Sequence, residues 1–155
     1  MIDRDTLSAA EKIIYDCHYD GLSQSDISNE RNLEMMFDAI RNKRAYALHR
    51  NGVVVVLFPE GKWVARLHVY SSNKKTSWIR NGFKIMEFVF TNSDFQYIWG
   101  YSSNPKFLKQ VQRGGWKHVG VFEKSYWDGE KFIDQYVYGT TKQDYLDFLN
   151  KINNL

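Results

Sequence analysis

The pair Asn51-Gly52, set between two β-rich runs, constrains this chain more than any other feature. Residues 45–50 and 53–58 are rich in β-branched and aromatic side chains, and Asn-Gly is the dipeptide that best fits the left-handed backbone of a two-residue hairpin turn. Pro59-Glu60-Gly61 turns the chain again, into residues 62–71. There Val64, Arg66, His68 and Tyr70 alternate with Trp63, Ala65, Leu67 and Val69, as expected for a strand with two different faces. The three runs predict an antiparallel meander.

Helical periodicity brackets the meander. Ser8 and Glu11 have capping-box spacing, and Leu7, Ala10, Ile14 and Cys17 fall on one face of a first helix that Gly21 ends. Residues 22–29 read as polar loop. A second helix starts near Glu30, capped by Ser28 or Asn29, with Leu33, Met36, Phe37 and Ile40 as its stripe. After a polar loop at 72–76, Ile79, Phe83, Met86 and Phe90 mark a third helix, in which Gly82 costs about 1 kcal/mol relative to Ala. Residues 96–101 form a further strand. Ser103-Asn104-Pro105 opens a short helix that stops at Gly114-Gly115. A hairpin of residues 116–126 and 131–138 turns around Asp128-Gly129. The segment 139–155 adds a final helix from about Thr141, with Tyr145, Leu149 and Ile152 inward. The order is ααβββαβαββα. It predicts an α/β (α+β) fold, a mixed and mostly antiparallel sheet with helices on both faces, built as one domain over 1–155.

Composition narrows the function classes. The chain has 155 residues and a net charge of +3, too small an excess to indicate nucleic-acid binding. Basic residues do alternate with aromatics (Trp63, Arg66, Lys74, Lys75, Trp78, Arg80), but a charged sheet rim explains them equally well. A single cysteine, Cys17, allows no intrachain disulfide and sits on an apolar helix face. His18, His49, His68 and His118 lack ligand spacing, so no metal site is expected. No run approaches a membrane span, no leader is evident at the N-terminus, and no nucleophile-elbow motif occurs. The expectation is a protein of the cytoplasm that does not engage membranes.

Asn104, Phe107, Gly115 and Trp116 stand at the spacing of an Asn, an apolar residue three later, and a Gly-aromatic pair eleven and twelve later. With the element order and the hairpin 120–138, this resembles the GNAT (Gcn5-related N-acetyltransferase) superfamily. The pattern is most similar to the ribosomal-protein N-acetyltransferase branch and to phage-encoded GNAT-like head-assembly or internal virion proteins. The resemblance implies acetyl-CoA as cofactor and an amine, free or on a protein, as acceptor. It places the cofactor against Val69, Ser71, Lys74, Lys75, Thr76, Ser77 and Asn104. A helix N-terminus after a strand suits the phosphates. The resemblance also expects small residues where Lys75, Ser77 and Ile79 stand, and a side chain there obstructs close backbone approach. On the strand 62–71 the polar positions offer Arg66 and His68, and His68 has the pKa range of a proton acceptor. Two readings follow. One is an N-acetyltransferase. The other is a non-catalytic, phage-encoded protein of virion assembly that binds a phage or host protein, located in the virion or the host cytoplasm. Under either, the final helix could dock on the fold's own sheet or mediate a homodimer.

Overall fold

A computed structural model describes residues 2–19, 30–72 and 78–155. The expected break at Gly21, the loop 22–29, the caps Ser28 and Asn29 and most of the loop 72–76 lie outside the described residues. In chain order the elements are α1 (Ala9–Tyr19), α2 (Glu30–Arg41), β1 (Tyr46–Arg50), β2 (Val53–Pro59), β3 (Val64–Ser71), α3 (Trp78–Asn92), β4 (Tyr97–Ser102), α4 (Pro105–Arg113), β5 (Lys117–Trp127), β6 (Phe132–Thr141) and α5 (Lys142–Asn153). A 3-10 turn, Arg4–Thr6, precedes α1. The element order is the one expected from the sequence. The strands form one sheet in the order β1-β2-β3-β4-β6-β5, with β3 and β4 parallel and the β1–β2, β4–β6 and β5–β6 pairs antiparallel.

The chain divides into two compact units, residues 1–59 with 67–85 and residues 60–66 with 86–155. The first is built on the β1–β2 hairpin. Asn51 and Gly52 both take positive φ (46° and 78°), and Tyr46↔Leu57 through Arg50↔Val53 follow in register. Val53 through Leu57 are all buried, so β2 is covered on both faces. One face, carrying Val54 and Val56, packs with Leu7, Ile14, Cys17, Leu33, Met36, Phe37 and Tyr70. The capping box at the start of α1 is formed: the Ser8 N–H donates to Glu11 Oε2 (2.8 Å) and the Glu11 N–H to Ser8 Oγ (3.2 Å). Glu11 is buried and meets Arg41 Nε of α2 at 2.9 Å. Cys17 lies in this core, as expected, and its thiol donates to the Ser71 carbonyl (3.2 Å). Gly82 of α3 has open space where a Cβ would stand, so the helix tolerates it without needing it.

The second unit has an aromatic core. Tyr138 of β6 meets Phe107 of α4 (5.5 Å between ring centroids) and Trp116 (5.6 Å), and Tyr145 of α5 meets Phe90 (5.3 Å). Burial raises the pKa of the Tyr138 and Tyr145 phenols above the ordinary tyrosine range. Asn104 caps α4 by accepting from the Lys106 N–H (3.0 Å), with Pro105 opening the helix. Gly115 takes φ +83° against the Phe148 ring, where a side chain does not fit.

Several boundaries differ from expectation, each for a tertiary reason. β6 runs on through Gly139, Thr140 and Thr141 because β4 offers partners for them, Trp99↔Gly139 to Tyr97↔Thr141. Thr141 therefore caps α5, its hydroxyl accepting from the Asp144 N–H (3.0 Å). Ile152, expected inward, is exposed; Tyr145 is the buried residue of α5 and Leu149 is half-buried. The β5–β6 turn is a four-residue loop in which Asp128 Oδ1 accepts from both the Glu130 and Lys131 N–H groups. Those bonds lower its pKa.

Candidate functional site

The second unit places one carboxylate at a solvent-reachable position with two fixed partners. Glu60 lies just before β3, where its N–H donates to the Val64 carbonyl (2.8 Å) and closes the turn 60–64. Its Oε2 accepts from the Trp99 indole Nε1–H at 2.8 Å, and its Oε1 faces Arg66 Nε at 3.6 Å. The sheet sets this geometry, because Val64, Ala65 and Arg66 of β3 pair with Tyr97, Ile98 and Trp99 of β4. Arg66 and Trp99 are therefore neighbours on one face, and Glu60 reaches back over both. The Glu60 and Arg66 side chains remain about a third exposed (37% and 34%), so a solute can reach the carboxylate.

Aromatic rings continue from this point. Trp99 stacks at a tilt on Tyr101 (6.1 Å), and Tyr101 meets Phe122 of β5 edge-on (6.1 Å). Tyr97, Trp99 and Tyr101 alternate with the buried Ile98, Gly100 and Ser102, so the ring row lies on the half-exposed face of β4. Gly139 of β6 belongs to the same face, and a Cβ there would collide with the Tyr97 hydroxyl. Phe122 is paired with the buried Gln135, whose Oε1 accepts from Ser125 Oγ (2.9 Å). A carboxylate beside π-faces suits an ammonium group, which the carboxylate attracts by charge and the rings by their quadrupoles.

The residues expected from the sequence fall as follows. His68 is half-buried in β3 and meets Phe58 of β2 edge-on at 5.4 Å. Val69 is half-buried on the same strand, and the Ser71 carbonyl accepts from Cys17. Lys74, Lys75, Thr76 and Ser77 lie outside the described residues. Asn104 is exposed, and its Oδ1 is used by the cap, which leaves its Nδ2 donors without a partner among the described residues. Asn104 thus opens α4 as the sequence leads one to expect, and its amide remains able to donate. Glu60 escaped the sequence reading because Pro59-Glu60-Gly61 reads as a surface turn; no local signal announces that Trp99, far along the chain, bonds to it. Asp134 accepts from the Lys124 N–H (2.8 Å) and pins the bulge where Lys124 takes positive φ.

No protein-family model matches the sequence, and no curated protein matches it. Solved structures do match in fold. The chain is similar to a point mutant of spermidine N-acetyltransferase SpeG from Vibrio cholerae, with a TM-score of 0.71 and 13% identity over 94% of this chain and 95% of that one. It is similar to Mycobacterium smegmatis RimJ, solved in complex with CoA-disulfide, with a TM-score of 0.68 and 10% identity over 98% of this chain and 87% of that one. It is also similar to a ribosomal-protein-alanine N-acetyltransferase from Brucella melitensis, with a TM-score of 0.64 and 12% identity over 90% of this chain and 96% of that one.

Proposed function

We propose, on the premise that the chain has the GNAT fold, that it is an N-acetyltransferase moving an acetyl group from acetyl-CoA to a primary amine. The observation that carries this reading is the likeness in fold along nearly the whole chain to acetyltransferases named for different amine acceptors. Fold alone does not fix chemistry, so the residues must supply the rest.

Glu60 supplies the acid–base step in this reading. An amine is protonated near neutral pH and must lose a proton before its lone pair can attack. Glu60 takes that proton directly or through one water, while Trp99 and Arg66 hold the carboxylate in place. His68 is the other candidate for the same step. Acetyl-CoA, when bound, would supply the activated acyl group, the C–N bond replacing the thioester C–S bond and coenzyme A leaving as a thiolate that takes a proton from solvent. The Nδ2 of Asn104, without a partner among the described residues, fits such a ligand, since the cap uses only the Oδ1. Val69, Ser71, Lys74, Lys75, Thr76 and Ser77 are assigned to the cofactor by the resemblance, the lysines to its phosphates.

Calorimetric titration with acetyl-CoA tests the reading. Micromolar binding is expected, weakened tenfold or more by a Lys74→Ala/Lys75→Ala double change, since two charge-assisted contacts to phosphate are lost, about 1.4 kcal/mol or more. No heat up to millimolar ligand, with the protein folded, overturns it. That outcome is what the non-catalytic reading requires, which rests on Lys75, Ser77 and Ile79 standing where small residues are expected.

A further inference from the structure

We propose that the distal half of the β5–β6 hairpin is a two-fold interface between copies of this chain. Pairing along the hairpin sorts its side chains. Val121↔Tyr136 and Trp127↔Phe132 place these four on the face that also carries Tyr138. Tyr138 is buried beneath Phe107 of α4 and Trp116, whereas Val121, Trp127 and Phe132 are 41%, 53% and 60% exposed. Trp127 and Phe132 pack edge-on at 5.1 Å, so the pair presents a preformed apolar knob at little further cost in side-chain entropy. An apolar patch of this kind on an edge strand marks an interaction surface.

Charge argues for a second copy as the occupant. Along the hairpin Lys117, Lys124 and Lys131 alternate with Glu123, Asp128, Glu130 and Asp134. A mixed-sign rim opposes binding to a polyanion or an anionic lipid surface and suits its own two-fold image. Area agrees. The four apolar side chains and their polar rim offer on the order of 500 Å² per copy, so a pair buries about 1,000 Å², the lower bound of a specific interface. The backbone explains why association stops at two. Register shifts between His118 and Gly120 and between Phe122 and Tyr126 interrupt β5, and such bulges discourage open-ended strand addition. Side chains, closing on a two-fold axis, carry the contact.

Sedimentation velocity over a concentration series tests this on the full chain. The native protein should form a dimer with a dissociation constant of roughly tens of micromolar, as befits a small interface. Trp127→Ser with Phe132→Ser should weaken it at least tenfold, and the melting temperature confirms that the variant is folded. Ile152→Ser on the exposed face of α5 should leave the dimer unchanged. A native protein that stays monomeric at several hundred micromolar, a dimer indifferent to the hairpin variant, or one lost with Ile152→Ser overturns the proposal.

Discussion

The two compact units differ in what they bury and what they leave open. The first is closed mainly by aliphatic side chains, with Phe37 and Tyr70 set among them, β2 buried at five successive positions, and α1 and α2 packed on one of its faces. The second is built from rings, and several of them remain half in water: Trp99, Tyr101 and Phe122 form a row whose outer side is uncovered. Among the described residues it also buries more polar side chains, Ser102, Gln135 and Thr140 against Glu11 in the first. A closed aliphatic core contributes stability and offers little to a solute. An open aromatic face with an anchored carboxylate contributes less stability and can recognise one.

The sharpest way to break this contrast is a pair of truncations. Leu33→Ala in the first unit removes a fully buried side chain and should cost about 2–5 kcal/mol in denaturant unfolding. Phe122→Ala in the second, where the ring is 45% exposed, should cost about 1 kcal/mol or less. Equal costs would mean that the aromatic face is as much a core as the aliphatic one.

A smaller effect concerns the rings that are buried. Burial holds the Tyr138 phenol neutral and its pKa above the ordinary value of about 10. A raised folded pKa contributes stability that is full below the unfolded value and is lost as pH rises through the folded one. The melting temperature should therefore fall above pH ~10, and less steeply in Tyr138→Phe. An unchanged slope in the variant would show that this phenol is solvated.

Much of this architecture was legible because it is written locally. Asn51-Gly52, the Ser8/Glu11 capping box and Asn104-Pro105 each act within a few residues, and each performs its expected local role. What escaped depends on distant partners. Gly139-Thr140-Thr141 has weak strand propensity and is a strand only because β4 pairs with it. Ile152 follows the helical stripe but lies beyond the part of α5 that packs. Glu60 is a turn residue by every local rule, and its assignment needs an indole that arrives 39 residues later. The candidate site was less legible than the fold for this reason: a strand needs a pattern, whereas a positioned carboxylate needs a tertiary contact.

The central claim is that the chain transfers an acyl group and that Glu60, held by Trp99 and Arg66, moves the acceptor's proton. The most direct test compares acetyl transfer to a panel of primary amines by the native protein, Glu60→Gln and His68→Gln. Glu60→Gln keeps a similar shape and loses the basic oxygen. A fall in kcat of about 10²-fold or more is expected for that variant, with acetyl-CoA binding unchanged, and a small change for His68→Gln. Full activity in Glu60→Gln, or a collapse confined to His68→Gln, would contradict it.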